Sequence, residues 1–332
     1  MKVVDMHCDT IAEIFNRRRE GEELSIQSNS LHIDLEKMKK GDYLLQNFGL
    51  FTHLEKEPKP FEYAMKLVDT FYTELEAHKD EIGIVRCWDD IEANRKAGKM
   101  SALMTLEEGG VCQGELAFLR DFYRLGARMM TLTWNFENEL GFPNHLLRED
   151  GKKPKYVPDT EHGLKEKGIA FVQEMERLGM IIDISHLNDA GIWDVFRYTT
   201  KPFVASHSNA RALASHPRNL TDEMIRALAN RGGVAGINFY ASFLRDDENG
   251  EAPVHSYCRD MVTHMKHMRE IGGIGCIGLG TDFDGIDSIV EMKDCSGMQM
   301  LADEMNAQGF TTGEIEAVFH ENVLRVYQEV LK

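Results

Sequence analysis

Residues 180–207 read MIIDISHLNDAGIWDVFRYTTKPFVASH, and this stretch decides the fold class. It contains two short apolar runs, residues 180–186 and 202–207, on either side of a helical pattern at residues 189–198. Apolar runs of this length are typical of strands that are buried on both faces, and a helix between two such strands makes a parallel crossover. The stretch therefore predicts a β-α-β unit in which each strand ends in a histidine.

The same alternation of strand and helix patterns continues along the whole chain. Further strand patterns occur at residues 3–9, 43–52, 101–107, 129–134, 233–239 and 275–282. Helical patterns occur at residues 61–78, 115–125, 161–178, 221–230, 257–271, 297–308 and 312–331, and a short helix is predicted from Ile91. Eight strands with helical crossovers in 332 residues predict one (β/α)₈ TIM barrel, a single domain over residues 1–332. An open doubly wound sheet is the alternative that the strand count leaves open.

Composition excludes several classes of partner. The chain has 38 basic and 55 acidic residues, a net charge of −17, which argues against a nucleic acid or an anionic membrane surface as partner. No apolar run reaches the roughly 20 residues that span a bilayer, and the N-terminus does not resemble a signal peptide. Six cysteines without a CxxC pair are typical of reduced thiols. We therefore expect a cytoplasmic protein, with a homodimer as an open alternative.

Polar side chains able to bind metal or move protons follow the predicted strands at five places. They are His7 and Asp9, Glu107 and Glu108, His186, His207, and Asp282. In a barrel the carboxyl ends of the strands converge on one face, so these groups should meet there. His7 and Asp9 are two residues apart and should share one face of a strand, while Cys8 points away.

The chemistry of these side chains points to a transition metal. Two adjacent buried carboxylates need a partner, and one of them can bridge two cations through its two oxygens. Imidazole and carboxylate ligands together favour zinc or another borderline divalent ion, whereas Mg²⁺ and Ca²⁺ prefer oxygen alone.

The segments DMHCD (5–9), LEEGG (106–110), IDISH (182–186), ASHSNARALASHPRN (205–219) and GTDFDG (280–285) resemble, in order, the motifs of the renal or membrane dipeptidase family of zinc peptidases. The likeness extends from residue 3 to about residue 330. It implies an amidohydrolase-like barrel with two Zn²⁺ ions per chain. By this resemblance His7, Asp9 and Glu108 hold the first ion, while Glu108, His186 and His207 hold the second. Glu108 is the expected bridge because it directly precedes the paired glycines.

The resemblance also implies roles in the reaction. Asp282 matches the acidic residue that moves a proton, and Arg218, eleven residues after His207, matches the arginine that holds the substrate carboxylate. One position departs from the family, which often has a histidine after the TLT run of the fourth strand. Here Trp134 follows Thr133, which leaves the side-chain preference open, and Asn135 is a candidate replacement donor.

The resemblance therefore predicts that residues 1–332 form a single metal-dependent hydrolase domain, a dipeptidase that uses a metal-bridging hydroxide and acts on dipeptides with a free C-terminal carboxylate. It also implies that a D-residue is tolerated at that position. Two alternatives remain at this point. One is another amidohydrolase reaction, the hydrolysis of an N-acyl amino acid or a lactam. The other is a non-catalytic binding protein on the same barrel.

Overall fold

Eight parallel strands form a closed barrel in the computed structural model, which describes residues 1–147, 155–246 and 251–332. We number the barrel strands in chain order: β1 Val3–Asp5, β2 Tyr43–Phe51, β3 Met100–Glu107, β4 Ala127–Thr131, β5 Ile181–Asp183, β6 Val204–Ala205, β7 Val234–Ile237 and β8 Ile277–Leu279. Each strand pairs with the next, and β8 pairs with β1 through Asp5 and Leu279. The predicted (β/α)₈ barrel is therefore confirmed, and the open doubly wound sheet is excluded.

Helices surround this barrel. They are Thr10–Arg19, Leu35–Lys40, Pro60–Ala77, Trp88–Lys96, Leu116–Arg124, Glu166–Leu178, Asp189–Tyr198, Asp222–Asn230, Ala241–Leu244, Cys258–Gly272, Gln299–Ala307, Thr312–Glu316 and Asn322–Val330. Several begin at a polar cap, as at Asn188 and Thr221, whose side chains accept main-chain N–H bonds three residues on. None of the described helices is long and apolar enough to cross a membrane.

Several short elements lie outside the predicted pattern. The sequence patterns did not predict the helices Thr10–Arg19 and Leu35–Lys40. Strand Ile82–Val85 was not predicted either, and it pairs only with the first half of β3. Two antiparallel strands, His145–Leu147 and Lys155–Val157, form a separate small sheet after β4. Charged and polar residues dominate the first two helices, which explains why hydrophobic periodicity did not reveal them.

The last helix, Asn322–Val330, covers the amino end of the barrel. Its apolar residues Val323, Val326 and Val330 pack in one cluster with residues from the first halves of the strands, such as Val4 and Val204. The amino end of the barrel is thus closed by apolar packing.

Several strands end earlier than their apolar runs suggest. β1 ends at Asp5, β5 at Asp183 and β8 at Leu279, so that His7, His186 and Asp282 lie just beyond the sheet. His186 and Asp282 have φ values of 69° and 60°, which no strand residue adopts. The chain turns at these residues, and the turn directs their side chains over the barrel mouth.

Candidate metal centre and active site

Glu107, the last residue of β3, lies at the centre of a cluster of histidines. Its Oε2 is 3.2 Å from Nε2 of His7, and its Oε1 is 3.1 Å from Nε2 of His186 and 3.8 Å from Nε2 of His207. Asp9 lies on the same side of Glu107 as His7, and its Oδ2 is 3.4 Å from Nε2 of His7. The ligand atoms therefore form two groups that share one carboxylate: His7, Asp9 and Glu107, and Glu107, His186 and His207.

The register of β3 explains why Glu107 occupies this position. Leu103 points into the barrel, whereas Ala102, Met104 and Leu106 pack in the outer cluster with the helices. Side chains alternate along a strand, so Glu107, four residues after Leu103, faces inward as well. The resemblance-based choice of Glu108 as the shared ligand is therefore corrected to Glu107, one residue earlier.

Glu108 has a different set of contacts. Its Oε2 accepts a hydrogen bond from the N–H of Trp134 at 2.8 Å, and its Oε1 accepts from the N–H of Gly110 and from Nδ2 of Asn138. Its φ of 94° turns the chain away from the strand direction. Burial raises the pKa of Glu108 and the three hydrogen bonds lower it. Burial has the larger effect, so the pKa is about 7. Glu108 thus holds the loop after β4 in place.

Each histidine of the second group is oriented by a hydrogen bond on its other ring nitrogen. Nδ1 of His186 lies 3.1 Å from Oδ1 of Asn135, and Nδ1 of His207 lies 2.7 Å from Oγ of Ser206. An amide oxygen can only accept, so His186 carries its proton on Nδ1 and leaves Nε2 free. The two Nε2 atoms are 3.0 Å apart and converge on the space beside Glu107. This arrangement of orienting partners is common around metal-bound histidines.

Buried polar atoms without partners mark the first group as a fit for a cation. Among the described residues, both ring nitrogens of His7 and Oδ1 of Asp9 have no hydrogen-bond partner. Both side chains are almost fully buried, and an unpaired buried polar atom is costly. A metal ion would give Nε2 of His7 and the carboxylate of Asp9 a partner, so the residues present fit a metal centre.

Glu107 interacts most strongly with the histidines. Burial raises the pKa of its carboxyl group, but His7 and His186 outweigh this effect and hold the pKa well below its ordinary range. Burial, together with the positive charge of Arg218, lowers the pKa of His186 to about 3. Burial and the neighbouring His7 likewise lower the pKa of His207. The second histidine pair is therefore neutral, the state in which imidazole binds metal.

Asp282 lies opposite this cluster. Its Oδ1 is 3.8 Å from Nε2 of His7, while its Oδ2 accepts a hydrogen bond from Nδ2 of Asn238 at 2.9 Å. Burial raises the pKa of Asp282 to about 6. Gly285 makes room for this group, because a Cβ at that position would lie 2.1 Å from Oδ2 of Asp9 and 2.7 Å from Oδ1 of Asp282.

Arg218 lies behind His207 and is buried. Its Nη1 donates to Oγ of Ser208 at 3.3 Å and its Nη2 to the carbonyl of His207 at 3.5 Å, while Nε has no partner among the described residues. Its guanidinium stands 5.4 Å from the ring centroid of Phe243. A buried guanidinium with free donor capacity beside a catalytic cluster is suited to an anionic ligand.

A cavity of about 940 Å³ opens above the cluster and includes Glu107, His186 and Asp282 in its wall. Trp134 and Asn135 also line it, as do Phe51 and His53. The ring of Trp134 lies 4.9 Å from that of Phe51 and 5.8 Å from that of His186, which gives the cavity one aromatic wall. Asn135 directs its amide oxygen to His186, so this residue orients a histidine whether or not it contacts substrate.

A barrel with converging histidines and carboxylates at the carboxyl ends of its strands defines the class of metal-dependent hydrolases. The family model described as membrane dipeptidase, peptidase family M19, matches residues 1–332. The chain belongs to this family and is a metal-dependent dipeptidase.

Individual relatives agree with this assignment. An uncharacterized protein in the pqqA 5′ region of Klebsiella pneumoniae is 36% identical over 241 residues, which are 73% of this chain and 86% of that protein. An uncharacterized dipeptidase of Schizosaccharomyces pombe is 31% identical over 315 residues, 90% of this chain and 72% of the relative. The crystal structure of a metallopeptidase of family M19, dipeptidase AC, is 26% identical and superimposes with a TM-score of 0.89 over 100% of this chain and 99% of the other.

Sequence reasoning missed three contributors to the site. Glu107 was recognised as a strand-end carboxylate but not chosen as the shared ligand, although the alternation of β3 was the available signal. Asn238, at the end of β7, and Ser206, next to His207, gave no signal in the sequence, because single polar residues at strand ends are common.

Proposed function

We propose that this protein hydrolyses dipeptides with a free C-terminal carboxylate, using two divalent ions, expected to be zinc, that share Glu107. His7 and Asp9 would complete the first ion's ligand set, and His186 and His207 the second's. The observation that carries the proposal is the position of Glu107, whose two oxygens each lie within 3.2 Å of a different histidine. A carboxylate between two imidazole groups is an arrangement that can hold a pair of metal ions.

Divalent ions held by these residues would supply Lewis-acid chemistry, which activates water as a nucleophile near neutral pH and polarises a carbonyl group. Asp282 would take the proton from this water and return it to the departing amine. Its Oδ2 is anchored by Asn238, which leaves Oδ1 facing the cluster. A fixed carboxylate with one free oxygen is suited to moving a proton between two neighbouring positions.

Arg218 would bind the C-terminal carboxylate of the substrate. Its guanidinium is buried, keeps an unused Nε and lies next to the main chain of His207. A free carboxylate is a bidentate acceptor that fits this donor. A buried site for the terminal carboxylate also explains why a dipeptide, rather than a longer chain, would fit.

The aromatic wall would contact a substrate side chain. Trp134 replaces the polar side chain that relatives often carry after the TLT run, and Phe51 and Phe136 lie 4.9 Å and 5.0 Å from its ring. We therefore expect bulky apolar side chains on this side of the cavity. Tolerance of a D-residue at the C-terminal position, which the family resemblance implies, and a contact from Asn135 to the substrate are retained as parts of the proposal.

The six cysteines are unpaired, and five of them are buried. Unpaired thiols are typical of a reducing compartment, so we retain the cytosol as the proposed location. The homodimer stays a prediction.

A substrate panel tests the proposed function. Metal-reconstituted protein should hydrolyse L,L- and L,D-dipeptides, and amidation of the C-terminus should lower kcat/KM by roughly 10- to 200-fold, the equivalent of a charge-assisted hydrogen bond of about 1.5–3 kcal/mol. Arg218→Ala should lower kcat/KM for the free dipeptide by a similar factor. It should lower kcat/KM for the amide only slightly further, because the mutation and the amidation remove the same contact. Arg218→Lys should restore only part of the loss.

Two results would contradict the proposal. Full additivity of the mutation and the amidation would remove Arg218 from the carboxylate site. Faster hydrolysis of N-acyl amino acids or lactams than of every dipeptide tested would replace the dipeptidase by another amidohydrolase reaction.

A further inference from the structure

A second group of metal-binding side chains lies outside the barrel mouth, next to the small sheet formed by His145–Leu147 and Lys155–Val157. His145, Asp159 and His162 each offer one ligand atom, and these atoms lie within 4.8 Å of one another. Oδ2 of Asp159 is 3.3 Å from Nε2 of His145 and 2.9 Å from Nδ1 of His162. We propose that these three residues bind a third divalent ion, of the zinc class, with a structural role.

The distances agree with a tetrahedral site. Zinc binds imidazole nitrogen and carboxylate oxygen at about 2.0–2.2 Å, so two ligand atoms of one tetrahedron lie roughly 3.3–3.5 Å apart. The 3.3 Å distance between Nε2 of His145 and Oδ2 of Asp159 has this value, and the 2.9 Å distance from Nδ1 of His162 is shorter, so an ion would move these two atoms slightly apart. Two imidazoles and one carboxylate favour zinc or a similar borderline ion over Mg²⁺ or Ca²⁺.

Asp159 is held in position before any ion binds. The residue is only 2% exposed, and its Oδ1 accepts hydrogen bonds from the main-chain N–H groups of Glu161 and His162. Its own N–H donates to Oδ1 of Asn144. Nδ1 of His162 also lies 3.2 Å from Oδ1, but Oδ2 is the oxygen that both histidines approach, as expected of an oriented ligand.

The two histidines provide access from solvent. Their side chains are 50% and 53% exposed, so an ion can enter and water can complete its coordination. An ion pair between Asp159 and protonated histidines would give the same contacts without an ion, and counting bound zinc distinguishes the two arrangements.

The position of the group indicates what the ion would do. Nδ2 of Asn144 donates to the carbonyl of Pro217, the residue before Arg218, and the ring of Tyr156 lies 5.4 Å from that of His216. The small sheet therefore packs against the segment that carries Arg218. An ion joining His145 of this sheet to Asp159 and His162 would fix the sheet in that position without contacting the cavity.

The test counts ions in the full-length protein. Wild type, His145→Gln and Asp159→Asn are stripped of metal, reloaded with Zn²⁺ and equilibrated against a weak chelator, and bound zinc per chain is measured. The matched control is His78→Gln, because His78 is a partly exposed histidine with one carboxylate, Glu81, at 3.9 Å. We expect wild type and the control to bind one more zinc per chain than His145→Gln. The affinity of this variant for the proposed third ion should fall by more than ~10–100-fold, because the loss of a residue that merely orients a ligand already has that effect.

Dipeptide hydrolysis and thermal unfolding complete the test. His145→Gln should keep its kcat, and its unfolding temperature should respond less to added Zn²⁺ than that of wild type. Equal zinc content in wild type and His145→Gln would overturn the proposal, as would loss of the extra ion in His78→Gln. The test compares the zinc content of variants, so its outcome does not depend on how many ions the barrel centre binds. The third site can be absent while the barrel centre binds two ions, and it can be present if that centre binds only one.

Discussion

The two ends of the barrel differ in the kind of group that they bury. At the amino end, residues of the last helix pack against apolar strand residues, and Nδ2 of Asn47 donates to Oη of Tyr327 at 2.6 Å. At the carboxyl end, buried His7 and Asp9 have polar atoms without partners, and Glu107 stands between imidazoles. Four of the seven described non-glycine residues with positive φ lie at this end: Glu108, His186, Asp282 and Asp284.

This difference shows where the fold is stabilised and where it carries function. Apolar burial at the amino end contributes to stability without any ligand. Unpaired polar atoms and unusual backbone conformations at the carboxyl end are unfavourable by themselves and persist because the surrounding barrel fixes them. Changes at the two ends should therefore separate activity from stability.

The largest effect is expected for Glu107→Gln. Glutamine cannot supply two anionic oxygens, so both proposed ions should lose a ligand together. Zinc content should fall towards zero at the barrel centre, and dipeptide hydrolysis should fall to the level of metal-stripped wild type. Elemental analysis and steady-state kinetics on the same preparation measure both quantities.

Glu108→Gln is the matched control for this change. Its carboxylate accepts three hydrogen bonds from the loops and contacts none of the cluster histidines, so zinc content should stay unchanged. The variant should lose about 1–3 kcal/mol in free energy of unfolding, because a glutamine amide nitrogen cannot accept these bonds. Loss of both ions in Glu108→Gln and retention in Glu107→Gln would reverse our assignment of the shared ligand.

A smaller effect, confined to chemistry, is expected for Asp282→Asn. The side chain keeps its size and can still bond to Asn238, but it can no longer take up a proton. We expect kcat to fall ~10²–10⁴-fold with zinc content and unfolding temperature close to wild type. If zinc were lost in parallel with kcat, Asp282 would act as a ligand and its proposed proton transfer would be wrong.

The smallest effect on activity is expected at the amino end. Tyr327→Phe removes the acceptor of the Asn47 amide and leaves a buried donor unpaired, which should cost about 1–3 kcal/mol in free energy of unfolding. Zinc content and kcat should not change. Denaturant unfolding of this variant and of Asn47→Leu/Tyr327→Phe provides the check, since removing both partners should restore part of the stability. A loss of kcat in Tyr327→Phe would show that the two ends are coupled.

Much of this protein could be predicted from local patterns. The run at residues 180–207 predicted β5, a crossover helix and β6, because burial on both faces of a parallel strand leaves an uninterrupted apolar run. Helix Thr10–Arg19 was missed because its polar residues outnumber its buried ones and its periodicity is weak. The predicted helix at residues 161–178 begins only at Glu166, because residues 159–162 form the turn that holds Asp159.

The sequence by itself determined the alternation of strands and helices, the positions of His7, Asp9, His186 and His207 at strand ends, and the resemblance to the family. These properties follow from periodicity and from residue type, which are local. Only the tertiary structure decided that Glu107 rather than Glu108 faces those histidines, that Asn135 orients His186, and that His145 meets Asp159 and His162. The physical reason is that these relations depend on where each strand ends and how the chain turns beyond it, which packing between distant segments fixes.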